Sequence, residues 1–193
     1  MNLTKEQILE FFQKTHALLE GHFLLTSGRH SNQYFQCAKV LQHPEYAEKI
    51  CAELSLYFSE DKIDKVIAPA MGGIIVGWEV ARLMKKQFIF AEREKERFEV
   101  RRGFEIIPGE RYLVCEDVVT TGGSVQEVID LVRANGAEVA GAAFLVDRSN
   151  GKVDFGVKQK AAMTLEVISY LPDECPLCKK NIPIVKPGSR KIF

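Results

Sequence analysis

Val114-Cys115-Glu116-Asp117-Val118-Val119-Thr120-Thr121-Gly122-Gly123-Ser124 decides how this chain is read. The stretch starts in a short apolar strand, Tyr112-Leu113-Val114-Cys115, sets two carboxylates at its end, and finishes in hydroxyls and glycines where a helix begins. The hydroxyls and free backbone N–H groups there can wrap a phosphate, the helix dipole favours its charge, and glycines let the backbone come close. Two acids repel phosphate, but they suit a sugar diol or a bound Mg²⁺. Together these features ask for a ribose that carries a phosphate. A bare Thr-Thr-Gly-Gly-Ser would be an ordinary capped turn; the acid pair directly behind an apolar strand separates the two readings.

Outward from this stretch, short apolar runs alternate with helical ones. Val66-Ile67-Ala68 leads through Gly72-Gly73 into a helix ending near Lys86. Phe88-Ile89-Phe90-Ala91 is a second strand, Tyr112–Cys115 the third, and Val139 to Val146 the fourth, with a helix from Gly122 to Asn135-Gly136 between the last two. Strands of this kind with crossover helices predict an α/β protein, a mostly parallel sheet covered by helices on both faces. The repeat spans about residues 62 to 160 of one domain, 1–193. The flanks, about 1–42 and 163–193, do not follow it and are read as a small hood built from both ends. In the N-terminal flank, Thr4-Lys5-Glu6-Gln7 has capping-box spacing, and Ile8, Phe11, Phe12, Thr15, Leu18 and Leu19 follow at helical spacing, predicting a helix from Thr4 to Glu20. Leu24 to Val40 reads as loop with short strands, and Pro44 opens another helix.

Composition narrows the function classes. Lys+Arg and Asp+Glu are 26 each, a net charge of +0, which argues against a chain-wide basic surface for nucleic acid. The longest nearly apolar stretch, Val139 to Val146, is far short of the about 20 residues a membrane-spanning helix needs. Met1-Asn2-Leu3-Thr4-Lys5-Glu6 lacks the basic-then-apolar order of a signal peptide. Five scattered cysteines, an odd number, read as reduced thiols of a cytoplasmic protein. Cys175-x-x-Cys178 stands alone: a structural zinc takes four ligands, and no second Cys or His pair at matching spacing accompanies it. No metal ligand set is therefore expected, unless histidines or a partner subunit complete one.

Ligands of open α/β sheets bind beyond the carboxyl ends of the strands, so the other strand ends matter. Ala68-Pro69-Ala70-Met71-Gly72-Gly73 places N–H groups where a second anion could sit. In Arg93-Glu94-Lys95-Glu96-Arg97-Phe98-Glu99-Val100-Arg101-Arg102-Gly103, eight of eleven residues are charged. A charge run is usually a solvated hairpin; its place beside an anion site favours a mobile lid that excludes water.

The stretch from Val114 to Ser124 closely resembles the phosphoribosyl-pyrophosphate (PRPP) signature of the type I phosphoribosyltransferases: four apolar positions, two acids, then Thr-Thr-Gly. The resemblance implies that family's fold. It implies that Glu116 and Asp117 hold the ribose hydroxyls and that Val118, Val119, Thr120, Thr121, Gly122, Gly123 and Ser124 hold the 5′-phosphate. Glu at the first acid position departs from the family's more usual Asp. Met71 and Gly72 fall in its pyrophosphate loop, with Gly72 where some members carry Lys. Arg93 and a later cation, Arg97 or Lys95, would reach the pyrophosphate from the lid, and Arg93 and Asp117 would be the catalytic pair. Mg²⁺ is implied as cofactor, held mainly through PRPP.

The acceptor is suggested by a second resemblance. Phe23-Leu24-Leu25-Thr26-Ser27-Gly28-Arg29-His30-Ser31-Asn32-Gln33-Tyr34-Phe35 is similar to the N-terminal motif of orotate phosphoribosyltransferases, Ser-Gly-Arg-x-Ser followed by aromatics. Val146-Asp147-Arg148 resembles the strand end whose Arg meets the orotate carboxylate, and Arg does offer a planar carboxylate a bidentate fork. The implied orotate site is Thr120, Arg148, Tyr34 and Phe35, one of the two aromatics being expected in the core. The likeness extends to Glu174–Cys178 and Val185–Arg190. It implies transfer of phosphoribosyl from PRPP to orotate, giving orotidine 5′-monophosphate and pyrophosphate in pyrimidine (UMP) biosynthesis, by a homodimer whose lids are shared. Two rivals remain. A purine salvage phosphoribosyltransferase would share the donor site. A PRPP-sensing transcription regulator would need a DNA-reading element, and the residues before the core show no evident helix-turn-helix.

Overall fold

In a computed structural model of the chain, which describes residues 3–25, 27–165 and 168–186, the elements run α1 (Lys5–Lys14), β1 (Leu18–Leu24), β2 (His30–Phe35), α2 (Cys37–Leu41), α3 (Pro44–Tyr57), β3 (Lys65–Pro69), α4 (Gly72–Met84), β4 (Gln87–Glu94), β5 (Arg97–Val100), β6 (Arg111–Val119), α5 (Gly123–Ala134), β7 (Glu138–Asp147), β8 (Gln159–Thr164), β9 (Ser169–Tyr170) and, after a 3-10 turn at Pro172–Glu174, α6 (Pro176–Lys179). The larger sheet has the order β5-β4-β3-β6-β7-β8 and is parallel except for β5.

Strand alternation sorts the core into two layers. Val66 and Ala68 of β3 and Leu113 and Cys115 of β6 face one side, against Ile50 and Leu54 of α3 and Val76 and Val80 of α4. Ile67, Tyr112 and Val114 face the other, against Val125, Val128, Ile129 and Val132 of α5. These residues are buried, and each large aliphatic one contributes roughly 1.5–3 kcal/mol by leaving water. The sheet is thus clamped on both faces, and its strand ends stay open.

The two chain ends supply a second sheet, β1-β2-β9. His30 and Ser31 of β2 pair with Tyr170 and Ser169, and Phe23 bridges to Val185. This hood stands beside the end of β7. Thr26, and the segment from Pro187 to Arg190, lie outside the described residues.

Several expectations need correcting. The first helix has its capping box at Thr4 and Gln7, but it ends at Lys14 rather than Glu20. The Thr15 hydroxyl donates back to the Phe11 carbonyl at 2.8 Å, and His16 turns to φ 51°, so Leu18 and Leu19 enter β1 instead. β6 runs past Cys115 to Val119, because β7 stays paired with it as far as Asp147; the two acids are therefore inside the strand end, not after it. The charge run forms an antiparallel hairpin of β4 and β5 turning at Lys95, where φ is 53°. β8 is a further parallel strand, and it crosses the expected border between core and hood.

Candidate active site

Glu116 and Asp117 sit where β6 meets the open edge, and Glu116 is 8% exposed. The Asp117 N–H donates to Glu116 Oε1 at 3.0 Å, and the Val118 N–H donates to Asp117 Oδ1 at 2.8 Å. Burial pushes both carboxyls above their ordinary range, and on Glu116 the neighbouring Asp117 charge adds to it. Buried acids held this way call for a hydroxyl pair or a cation.

The loop after β3 makes room for them. A Cβ at Gly72 would stand 2.6 Å from the Asp117 carboxylate, and one at Gly73 3.0 Å from Glu116 Oε1 and from the Cys115 carbonyl. Gly72 is thus demanded by Asp117 on the neighbouring strand, and Gly73 fits tightly beside Glu116, a reason that the local sequence does not display. Met71 caps this loop and is 83% exposed.

Beyond the acids, Thr120 and Thr121 are exposed, and Gly122 takes φ 80° beneath Val153 and Phe155 before α5 starts. No side chain caps α5, so its first-turn N–H groups point outward unsatisfied. Val118 is half-buried against the α3 and α4 side of the core. Val119 is buried, and its carbonyl accepts the Arg148 N–H at 2.8 Å, so it presents no side chain to a ligand. A cavity of about 490 Å³ opens over the helix start, lined by Arg93, Lys95, Thr121, Gly123 and Ser124 with Glu96 and Glu127. The Arg93 guanidinium lies 4.2 Å from the Phe98 ring centroid and donates to the Glu96 carbonyl at 2.9 Å and to Glu127 Oε1 at 3.0 Å. The hairpin therefore delivers Arg93 and Lys95 to the cavity at the start of α5. Arg97 is exposed and does not line this cavity.

The second cavity, about 400 Å³, lies between β7 and the hood, lined by Arg29, Arg148, Ser149, Asn150, Lys152, Ile168 and Ser169. Arg148 follows β7 directly. Its Nε is buried without a hydrogen-bond partner, and burial pulls its guanidinium below the usual value. Its guanidinium stands 5.8 Å from the centroid of the half-buried Tyr34 ring. A poorly solvated cation beside an aromatic face is prepared for a planar anion. Phe35 is corrected: adjacent strand residues point to opposite faces, so it is buried at 4% exposure, its ring 6.0 Å from that of Phe12. Thr120 lines neither cavity.

Arg29 and Ser31, the polar part of the hood motif, are tied inward. Arg29 donates to the Ser169 hydroxyl at 2.8 Å and carbonyl at 2.6 Å, and the Ser31 hydroxyl donates to the Ile168 carbonyl at 3.0 Å. They staple the hood to its C-terminal strand. The structure also corrects the reading of Cys175-x-x-Cys178 as lacking companions: His22 and His30, eight residues apart on paired strands, stand beside both thiols. That spacing matches no linear metal motif; only the hairpin pairing could have disclosed it.

A family model described as "Phosphoribosyl transferase domain" matches residues 38–161. The chain is 62% identical over 190 residues to an orotate phosphoribosyltransferase of Pelotomaculum thermopropionicum, covering 98% of this chain and 100% of that one. It is 54% identical to an orotate phosphoribosyltransferase of Desulforamulus reducens over the same share of each chain. Among solved structures, orotate phosphoribosyltransferase from Aeropyrum pernix is 28% identical with a TM-score of 0.71, covering 82% of this chain and 94% of that one. Adenine phosphoribosyltransferase from Rhodothermus marinus, 24% identical with a TM-score of 0.66 over 83% and 99%, shares the fold. The fold is thus shared with an adenine phosphoribosyltransferase, while the relatives at 54–62% identity over 98% of this chain are orotate phosphoribosyltransferases. The chain belongs to the phosphoribosyltransferase family, among the orotate phosphoribosyltransferases.

Proposed function

We propose that the protein transfers the phosphoribosyl group of PRPP to orotate. Orotate N1 bonds to C1′ as the bond from C1′ to the pyrophosphate oxygen breaks, and the N1 proton passes to the departing pyrophosphate or to solvent, leaving orotidine 5′-monophosphate and pyrophosphate as products. The observation that carries this reading is the half-buried Arg148, its Nε enclosed without a partner, next to Tyr34 and one strand away from the acid pair. The chain does little covalent work; it aligns acceptor and donor.

In this reading Glu116 and Asp117 accept from the ribose hydroxyls and face the positive charge that develops at C1′. Thr121, Gly123, Ser124 and the α5 N–H groups hold the 5′-phosphate. Arg93 and Lys95 meet the leaving pyrophosphate, with Met71 and Gly72 flanking it by backbone, while Arg97 reaches it only if the hairpin moves. Mg²⁺ fits this edge, since one or two carboxylates together with substrate phosphate oxygens are its usual donors. When bound through PRPP it would supply charge neutralisation of the pyrophosphate.

A homodimer is part of the proposal. Met71, Ile75 and Trp78 are exposed at one face of α4, and a second copy covering them would bring its own hairpin near this edge. Trp78→Glu is expected to sediment at the mass of one chain. All five cysteines are free thiols, which supports a reducing, cytoplasmic setting. Among the described residues no helix is long and apolar enough to cross a membrane.

The test is pyrophosphate release from PRPP with orotate, adenine, hypoxanthine or uracil, with and without Mg²⁺. Turnover with orotate alone, and only with Mg²⁺, is expected. Comparable turnover with a purine overturns the acceptor assignment.

A further inference from the structure

His22 sits on β1, His30 on β2, and Cys175 and Cys178 flank the start of α6, more than 140 residues further along the chain. His22, His30 and Cys175 are buried, and Cys178 is half-buried at the rim. One donor atom from each lies within 4.8 Å of all the others. His22 Nε2 is 3.0 Å from His30 Nδ1, 3.5 Å from Cys175 Sγ and 3.7 Å from Cys178 Sγ, and Cys178 Sγ is 3.3 Å from His30 Nδ1. Zinc bonds of about 2.0–2.1 Å to nitrogen and about 2.3 Å to sulfur place tetrahedral donors about 3.3–3.8 Å apart. The four observed edges fall at or close to that span.

Hydrogen bonding alone leaves this cluster unsatisfied. His22 Nδ1 lies 2.7 Å from the Ile182 carbonyl, which can only accept, so Nδ1 carries the hydrogen and Nε2 presents its lone pair inward. With a hydrogen on His30 Nδ1, three donors would compete for that one lone pair; without it, two ring lone pairs face each other at 3.0 Å in a buried space. A cation at the centre gives each of the four atoms its own bond. The Ile182 carbonyl then acts as the outer support that fixes the ring's tautomer and aim, as metal-ligating histidines commonly require.

We propose that His22, His30, Cys175 and Cys178 bind a single structural zinc ion. Two thiolates and two imidazoles at tetrahedral spacing select zinc over magnesium or calcium, and a donor set this tight encloses one ion. Four protein ligands close the site, so the ion is structural and stands apart from the chemistry at the acid pair. It locks the β1–β2 hairpin to the C-terminal segment within two residues of Arg29 and Ser31, which staple the same hairpin to residues 168–169. The hood wall of the Arg148 cavity is thereby fixed from two directions.

Elemental analysis of untagged protein, purified without chelator or metal resin, tests this. About one zinc per chain is expected. C178S is expected to lose it, and C51A, which removes a buried thiol elsewhere, to keep it. As a check independent of any variant, chelated wild-type protein refilled with cobalt(II) is expected to show visible bands of a tetrahedral site and near-ultraviolet thiolate charge transfer. Chelation is expected to lower Tm, and zinc to restore it. Substoichiometric zinc below about a tenth per chain with no cobalt spectrum overturns the proposal, as does iron in place of zinc or a Cys175–Cys178 disulfide in freshly purified protein.

Discussion

The acid pair of β6 and the hood hairpin flank the same strand ends, and they are built in opposite ways. The first is contiguous: strand, acids, hydroxyls, glycines and helix follow within eleven residues, and each acts where the chain places it. The second is assembled from residues 22–35 and 168–182, and its polar residues mostly serve one another: Arg29 with Ser169, Ser31 with Ile168, His22 with Ile182. In the proposed function the donor is bound by a local motif, whereas the acceptor wall rests on contacts between distant parts of the chain. The comparison predicts that substitutions at the acid pair act on turnover, while those in the hood act on acceptor affinity and stability.

The largest effect is expected at Gly72. Its Cβ in Gly72→Ala would meet the Asp117 carboxylate at 2.6 Å and force it aside. Turnover should fall at least about 100-fold, because a displaced reacting group costs on that order. Asp117→Ala should fall as far, with the circular dichroism of the folded protein retained, and combining the two should add little. If Gly72→Ala keeps near-normal orotidylate formation, Asp117 does not work from its position beside Gly72.

Why the donor edge was legible and the hood was not follows from particular residues. Val66, Ala68, Leu113 and Cys115 alternate with Ile67, Tyr112 and Val114, so the sheet and its two covered faces can be read from period alone. β8 escaped that reading because Gln159-Lys160 begins an edge strand whose residues are mostly half-buried. Leu18 and Leu19 keep helical spacing with Phe11 and Phe12, and only the Thr15 back-bond and the His16 turn end α1, which spacing does not report. At the strand ends, Glu116, Asp117 and Arg148 stand out in the sequence because motif and chemistry coincide there. The need for glycine at 72 and the joining of His22 and His30 with two distant cysteines depend on pairings across the fold.

The next effect sharpens the contrast inside the acceptor wall. Arg148→Ala should raise the KM for orotate about 10-fold or more, the scale of a lost charge-assisted hydrogen bond, and leave that for PRPP within about two-fold. Arg29→Ala removes two bonds to Ser169 rather than a ligand contact. It should lower Tm by several degrees and raise the orotate KM less than Arg148→Ala does. A larger orotate effect at Arg29 than at Arg148 would mean that the hood Arg, freed from Ser169, is the acceptor's partner.

The smallest effect is a stability change with a defined pH dependence. Glu116 is held above its ordinary value of 4.5, chiefly by burial and further by the Asp117 charge. Below that value the carboxyl is protonated in both folded and unfolded chains, and the fold carries no penalty from it. As pH rises, the unfolded chain ionises first and is favoured, so stability falls until the folded carboxyl also ionises. Glu116→Gln keeps an oxygen to accept the Asp117 N–H but cannot ionise. Without ligands its Tm should match the parent near pH 4.5 and exceed it at pH 8, by about 2–4 °C for each 1 kcal/mol of penalty removed. Asp117 is raised in the same sense by burial and remains in the variant, so a shallower slope of the same sign persists. PRPP with Mg²⁺ should reverse the order, because the ionised Glu116 then has ribose hydroxyls to accept from. A ligand-free Tm difference that does not change with pH would show that the acid pair is not a strained anion site waiting for its sugar, and the contrast with the self-satisfied hood would fail at that point.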